Sequence, residues 1–334
     1  MRSTRHSPPP NSVVELLHSR RASGSQPGRR ADDSHVALAV EGGGMRGIVS
    51  GAMLSALADH SFTNSFDSIY SLSAGAINST YFAAGGGWQA LSVYYDDLIT
   101  REFIDFRRLL QRKPILSLDY VLNDVMRGTN PLDYVQALES KIDLNIIVAD
   151  INRLEPVVLS KFDSEEELEW ALRTSASLPV IAGPPPEKNG TRFLDGGVLM
   201  SHPVEAALAG PASHIVVIRT KSSDKRTERV SVGTRLLARR LNQYQPGLGA
   251  KYIFQKKEYD RIEDQTRRAS DSPSSKLPHI LDVHCSPGSH AVGRLTQERG
   301  LLYQGMRAGY QAMLLALFGT EYQVHLRPAV REEF

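Results

Sequence analysis

The most constraining feature of the sequence is a glycine cluster that separates a short apolar run from a stretch with helical spacing. The run Val36–Val40 is typical of a buried strand, and the helical stretch extends from Ile48 to His60. Glycines let several backbone N–H groups point at one ligand, and the following helix N-terminus adds partial positive charge. We therefore expect this loop to bind a phosphate or the oxyanion of acyl transfer. Its residues are Gly42, Gly43, Gly44, Met45, Arg46 and Gly47.

A second junction of this kind carries a serine. The predicted strand Phe66–Leu72 leads through Ser73 into a helical stretch over residues 74–84. A sharp strand-to-helix turn raises one serine hydroxyl above the sheet edge and needs small residues two positions before and after it. Gly75 satisfies this requirement, whereas Ser71 stands where glycine is usual. The alternative interpretation is that Ser73 only caps the helix that follows it.

A third segment offers a carboxylate at a strand end. The predicted strand Thr191–Leu194 ends at Asp195, which is followed by Gly196 and Gly197. Functional sites of open α/β sheets form at the carboxyl ends of strands, so Asp195 is a candidate base. A tight turn with aspartate as its first residue is the alternative.

Together, the three segments supply the parts of an acyl-transfer site. The glycine loop offers oxyanion donors, Ser73 a nucleophile and Asp195 a base, and this chemistry needs no cofactor. The joint occurrence of the three segments is less probable by chance than any single match.

Two other kinds of site remain open at this stage. The spacing Gly42-x-Gly44-x-x-Gly47 also matches a dinucleotide-binding fingerprint, for which Asp67 has the spacing of the acidic partner. A Ser-Asp-His triad is compatible with the order of the chain. The histidines that follow Asp195 and could complete it are His202, His214, His284 and His290.

The remaining pattern alternates strands with helices, which predicts a layered α/β domain with a mostly parallel sheet. Further strands are expected at 144–149, 157–160, 215–220 and 280–284, and helices at 131–138, 165–174 and 298–318. We divide the chain into a flexible Arg/Ser/Pro-rich leader (1–34), one catalytic domain (35–320) and a C-terminal tail (321–334). Residues 221–276 are predicted to form a peripheral helical excursion within the domain.

The glycine loop, the Ser71–Gly75 segment and the Asp195–Gly197 segment resemble the patatin-like phospholipase family in that order along the chain. The likeness extends from about Val36 to Thr220. It includes Ser175–Pro179, which resembles the S-x-A-x-P-like stretch of that family. The resemblance implies a three-layer α/β/α fold and hydrolysis of lipid acyl esters by a Ser–Asp dyad.

Carried over by position, the resemblance makes Ser73 the nucleophile and Asp195 the base. It makes Gly42, Gly43, Gly44 and Met45 the oxyanion loop, with Arg46, Gly47, Gly75 and Gly196 in supporting positions. Because Ser71 departs from the motif, a lipid-binding protein with weak catalysis is the first alternative, and a dinucleotide-binding oxidoreductase is the second. We expect a lipid or acyl-ester substrate and no cofactor or metal.

The net charge and the cysteine content limit the expected partners and the expected cellular location. The formal net charge is only +2, so we expect no nucleic-acid partner. The single cysteine, Cys285, excludes an intramolecular disulfide and fits a reducing compartment, so a cytoplasmic location is expected. A basic, leucine-containing helix over 235–241 leaves open a peripheral contact with a membrane.

Overall fold

The computed structural model describes residues 12–222, 231–272 and 278–319. Its α-helices are α1 (Ser12–Ser23), α2 (Gly47–Asp59), α3 (Ala74–Ala83), α4 (Gly87–Ser92), α5 (Tyr134–Glu139), α6 (Glu165–Ser175), α7 (Val204–Ala209), α8 (Val232–Tyr244), α9 (Leu248–Asp271) and α10 (Arg299–Phe318). Its strands are β1 (Val36–Val40), β2 (Ser68–Ser71), β3 (Asp143–Asp150), β4 (Glu155–Leu159), β5 (Glu187–Lys188), β6 (Thr191–Asp195), β7 (His214–Ser222) and β8 (His279–Cys285). No helix in these ranges combines the length and apolarity needed to cross a membrane.

The strands form one sheet in the order β5-β6-β3-β2-β1-β7-β8, with β4 paired to β3 outside this path. The five strands from β3 to β8 in this order are parallel to one another. Strands β4 and β6 run antiparallel to β3, and β5 runs antiparallel to β6. The predicted mostly parallel sheet is confirmed.

Alternate side chains of β1 enter two different cores. Val36, Leu38 and Val40 pack in the core that contains α2 and α10, whereas Ala37 and Ala39 pack on the other face with residues of α7 and α9. Both faces of the central strand are therefore covered, which is why β1 reads as an uninterrupted apolar run. This arrangement confirms the three-layer α/β/α class.

The helix predicted at 131–138 begins later than expected. Its N-cap is Asp133, whose side chain accepts a hydrogen bond from the Gln136 N–H. Asn130, which directly precedes the predicted helix and is of a residue type common at helix N-caps, is buried instead and donates its side-chain amide to Asp97 Oδ2 at 2.5 Å. Tertiary burial of the asparagine therefore outweighs its local preference for a helix start.

The N-terminal segment differs from the predicted flexible leader from Ser12 onward. Helix α1 buries Val13 and Leu17 completely, and Arg20 on the same helix is 1% exposed. The Arg20 guanidinium donates to Asp32 Oδ1 and to Asp67 Oδ2, both at 2.7 Å. The segment from Ser12 onward is ordered because this buried arginine holds α1 to the start of β2. Residues 1–11 of the predicted leader lie outside the described residues.

The described part of the predicted C-terminal excursion contains α8 and α9, but α9 belongs to the body of the domain; residues 223–230 and 273–277 lie outside the described residues. Thr266 of α9 accepts a hydrogen bond from Arg219 of β7 and donates one to Asp282 of β8, at 2.6 and 2.7 Å. Arg219 and Asp282 form an ion pair whose side chains are 1% and 0% exposed. Helix α9 therefore covers one face of the sheet. The predicted tail at 321–334 lies outside the described residues.

We expect the substitution Arg20→Met to lower the free energy of unfolding by about 3 kcal/mol, because removal of one partner leaves buried polar groups uncompensated. Urea denaturation would measure the change. Arg29→Met is the matched control, since Arg29 is an exposed arginine of the same segment and should change stability by less than about 0.5 kcal/mol. Equal effects of the two substitutions would contradict an anchoring role of Arg20.

Candidate active site

Ser73 occupies a strained turn at the carboxyl end of β2. Its φ and ψ are 57° and −139°, a combination that non-glycine residues rarely adopt. Its side chain makes no capping hydrogen bond to α3, so the alternative interpretation of a simple helix cap is not supported. The turn instead has the geometry of a nucleophile elbow.

The turn is held by a serine that the sequence analysis noted only as part of a motif. Ser175 Oγ, at the end of α6, accepts the Ser73 N–H at 2.9 Å and donates to the Ile147 carbonyl at 2.8 Å. One side chain thereby connects the elbow to β3. The motif Ser175–Pro179 gave its position, but only the packing of α6 against β3 reveals the connection.

Glycines are required around the elbow because backbone atoms of neighbouring segments lie too close for a Cβ. A Cβ on Gly42 would lie 2.6 Å from the Leu72 carbonyl oxygen, and one on Gly75 would lie 2.7 Å from the Val40 carbonyl oxygen. The ends of β1 and β2 are therefore pressed together on both sides of Ser73. Ser71 itself is a regular residue of β2, paired with Val40 and fully buried, so the serine at this position is accommodated within the strand.

Asp195 is buried at the end of β6, and its two carboxylate oxygens have different surroundings. Oδ1 accepts the Gly197 N–H at 2.8 Å, so the residue does begin a tight turn, whereas Oδ2 has no hydrogen bond of regular geometry among the described residues. Burial raises the pKa of Asp195, although the nearby Ser73 hydroxyl and the Gly197 N–H oppose the shift by hydrogen bonding. The sequence could not distinguish a turn residue from a base, and the structure shows a carboxylate that can be both.

Strand β3 brings these two residues together. Strand β2 pairs with its first half, where Ser71 lies opposite Ile146, and β6 pairs with its second half, where Asp195 lies opposite Val148. Ile147, between the two pairings, accepts the hydrogen bond from Ser175. The elbow and the carboxylate therefore meet although they are more than a hundred positions apart in the sequence.

The glycine loop lies beside the elbow and offers unused N–H groups. Gly43 and Gly44 have φ values of 147° and 58°, which favour glycine, and both remain partly exposed. No hydrogen bond within the described ranges uses their N–H groups. The Met45 N–H, in contrast, donates to the Arg294 carbonyl at 3.0 Å. The glycine loop therefore keeps two unused N–H groups, whereas the Met45 N–H, which was expected among the oxyanion donors, is directed at another part of the chain.

Arg46 connects the glycine loop to β7. Its Nε donates to Thr220 Oγ1 at 3.1 Å. Glu41 accepts hydrogen bonds from the Thr220 N–H at 2.6 Å and from the Tyr259 hydroxyl at 3.0 Å. Burial acts to raise the pKa of Glu41, but the charge of Arg46 and other cations outweighs it and holds this pKa at about 2. Glu41 is thus a fixed negative charge beneath the loop.

Basic residues that the sequence analysis did not single out surround the carboxylate. The charges of Arg294 and Lys256 both act to lower the pKa of Asp195. Burial and the charge of Arg294 in turn lower the pKa of Lys256 to about 7. No sequence signal marks these residues, because α9 and the loop before α10 reach the site only through tertiary packing.

Ser73 and Gly44 line an apolar cavity. Asn78 and Tyr94, whose side chains hydrogen-bond to each other at 3.1 Å, contribute its polar atoms. The remaining wall residues are Ala74, Ile77, Ala90, Val93, Leu98, Phe103, Leu116, Leu118, Val121, Ala176 and Leu178. A cavity of this composition suits a hydrocarbon chain better than a sugar or a nucleotide.

The other candidate residues are used elsewhere. Asp67, the expected partner of a dinucleotide ribose, binds Arg20, Arg30 and the Val36 N–H at the opposite end of β2 from Ser73. His202 is buried, its Nδ1 accepts the Val204 N–H, and burial lowers its pKa to about 3. Within the described ranges, no group of three His, Cys, Asp or Glu side chains is placed to hold a metal ion.

Comparison with known proteins places this site in a family. The family model "Patatin-like phospholipase" matches residues 38–208, half of the chain. The chain belongs to the patatin-like phospholipase family. Ser73 and Asp195 both lie within the matched range, whereas Lys256 and Arg294 lie beyond it.

Individual proteins that are similar to this chain share little sequence identity with it. The uncharacterized protein YjjU of Escherichia coli (strain K12) is 28% identical over 200 residues, which are 59% of this chain and 54% of that protein. The chain thus spans about half the length of this curated relative. The crystal structure of VipD from Legionella pneumophila aligns with a TM-score of 0.46 and 11% identity, over 85% of this chain and 66% of that one.

We expect Gly42→Ala to lower the free energy of unfolding by about 1–3 kcal/mol, because the new methyl group would force the Leu72 carbonyl and the elbow apart. Thermal or urea denaturation would measure it. Gly128→Ala is the matched control, since a Cβ there meets nothing within 4 Å. The close-contact argument fails if the two variants are equally stable.

Proposed function

We propose that this patatin-like protein hydrolyses fatty-acyl esters of lipids, in the manner of a phospholipase A or esterase, through an acyl-enzyme on Ser73. One observation carries the proposal: the strained Ser73, whose hydroxyl is close enough to Asp195 to lower the pKa of that carboxyl, lines an apolar cavity. A helix cap needs neither a buried carboxylate nor a cavity, and a dinucleotide site would not use the serine.

In the first half of the reaction, Asp195 Oδ2 accepts the proton of the Ser73 hydroxyl as Oγ attacks the ester carbonyl carbon. The carbonyl oxygen becomes an oxyanion, and the unused N–H groups of Gly43 and Gly44 are the donors available to stabilise it. When the tetrahedral intermediate collapses, the bond to the alcohol breaks and the alcohol takes the proton from Asp195. The acyl group remains bonded to Ser73 Oγ.

In the second half, a water molecule repeats these steps. Asp195 accepts a proton from the water, whose oxygen attacks the acyl carbon and generates the oxyanion in the same loop. Collapse releases the fatty acid and returns the proton to Ser73 Oγ. The aspartate thus acts directly on the nucleophile, without an intervening histidine, and its raised pKa brings it closer to the strength that a general base needs.

The preorganisation of the elbow supports the same proposal. Ser175 fixes the Ser73 backbone through its N–H, so the side chain is positioned before substrate arrives. The Gly197 N–H fixes Oδ1 of Asp195, which leaves Oδ2 as the reactive oxygen. The acyl chain would extend into the cavity between Ile77 and Leu178.

We expect Ser73→Ala and Asp195→Asn each to reduce kcat for p-nitrophenyl esters by at least about 10³-fold, because each removes a group that acts in the transition state. The control is Ser79→Ala, a buried serine of α3, which should stay within about threefold of the wild type. Full activity of Ser73→Ala would exclude Ser73 as the nucleophile. A folded wild type that binds lipid but cleaves no ester would favour the lipid-binding alternative.

The pH dependence of kcat/KM tests whether Asp195 is the base. Because Asp195 must be ionised, kcat/KM should fall as the pH drops through its raised pKa. Lys256→Met removes a positive charge that lowers this pKa, so the acidic limb should move to higher pH. Lys257→Met, at the exposed neighbouring position, is the matched control. A limb that stays in place in Lys256→Met would contradict electrostatic coupling to Asp195.

A further inference from the structure

A protruding segment between Asp105 and Ile115 exposes apolar side chains without burying any. Its centre is the 3₁₀-helix Phe106–Gln111, in which no residue is buried. Phe106, Leu109 and Leu110 are 52%, 56% and 90% exposed. Single exposed apolar residues are common on protein surfaces, but three in one short turn point to a binding surface.

The same segment is strongly basic. Residues 106–113 contain four cations and no carboxylate, namely Arg107, Arg108, Arg112 and Lys113. The neighbouring Asp105 pairs with Arg107 at 3.0 Å. Arg108 donates to the backbone carbonyls of Arg101 and Glu102, which stiffens the base of the segment. The charge that this surface would complement is therefore negative.

The base of the segment is also the wall of the acyl cavity. Ile104 and Leu116 form a β-bridge across it, and the Ser117 N–H donates to the Phe103 carbonyl at 3.0 Å. Phe103, Leu116 and Leu118 line the cavity. A ligand held by the tip of the segment would therefore lie next to the route by which an acyl chain reaches Ser73.

We propose that residues 105–115, which we call the basic hairpin, bind the surface of anionic lipid bilayers. Phe106, Leu109 and Leu110 enter the boundary between head groups and acyl chains, while the cations contact anionic head groups. Delivery of a lipid to the cavity rests on the proposed function, whereas the membrane binding does not.

A bilayer fits the observations better than a protein groove does. The cations and the apolar side chains alternate within one short turn, which suits an interface where a charged layer covers a hydrocarbon layer. The hairpin presents neither a strand edge nor a long helix face, which are the usual elements of peptide and protein docking. Helix α8 also exposes Leu236 among arginines, but Ala238 and Leu241 of that helix are buried in the domain core, and nothing connects it to the cavity.

The test is co-sedimentation of the full chain with vesicles of phosphatidylcholine alone and of phosphatidylcholine with phosphatidylglycerol. We expect binding to the mixed vesicles, weakening in 0.5 M NaCl because salt screens the charges. The double variant Leu109→Ser/Leu110→Ser and the double variant Arg112→Gln/Lys113→Gln should each weaken it by at least about tenfold. Hydrolysis of a short, monomeric p-nitrophenyl ester should stay within about twofold.

The matched control is Val135→Ser, because Val135 is 55% exposed, like Leu109, on the helix α5. Unchanged vesicle binding by the Leu109→Ser/Leu110→Ser variant would overturn the proposal, and so would equal binding to neutral and anionic vesicles. Absence of any vesicle binding by the wild type would overturn it in favour of a protein-binding surface. Failure of the proposed function would appear separately, as loss of ester hydrolysis with vesicle binding retained.

Discussion

The close approach of strand ends at one edge of the sheet is the constraint on which the site depends. A Cβ on Gly42, Gly75 or Gly196 would lie too close to a backbone oxygen of a neighbouring segment. The oxygens belong to Leu72, Val40 and Ile147, respectively. Glycine is therefore required at these three positions for packing, because the absence of a side chain lets the ends of β1, β2, β3 and β6 converge. The strained conformation of Ser73 persists because this packing over-determines it. The elbow's reactive geometry is thus a consequence of how tightly the surrounding backbone fits.

Burial in this tightly packed region also shifts the pKa values of two carboxyl groups at the site. Glu41 and Asp195 are both buried carboxylates, yet their pKa values shift in opposite directions. Glu41 accepts bonds from Thr220 and Tyr259 and lies close to Arg46, so its charge is compensated. For Asp195, burial outweighs the hydrogen bonds and the charges of Arg294 and Lys256. The protein therefore holds one carboxylate as a structural anion and keeps the other basic enough to accept a proton.

The region outside the family match completes the site. Helix α9 contributes Tyr259 to Glu41 and brings Lys256 close to Asp195, and the loop before α10 accepts the Met45 N–H at the Arg294 carbonyl. A polar segment without a recognisable motif thus forms a part of the surroundings of the candidate site. The basic hairpin relates to the cavity in a similar way, since its apolar base forms the wall and its charged tip faces outward.

The sequence by itself determined the class of fold and the positions of most strands and helices, and it marked Ser73, Asp195 and the glycine loop as candidate site residues. These features depend on local rules: apolar runs predict buried strands, and glycine or small residues mark sharp turns. Only the tertiary structure decided that α1 is anchored by Arg20, that Met45 donates its N–H to Arg294, that Ser175 holds the elbow and that Lys256 lies near the base. Each of these depends on contacts between residues far apart in the chain, and no local pattern encodes which distant groups a buried charge or an N–H will meet.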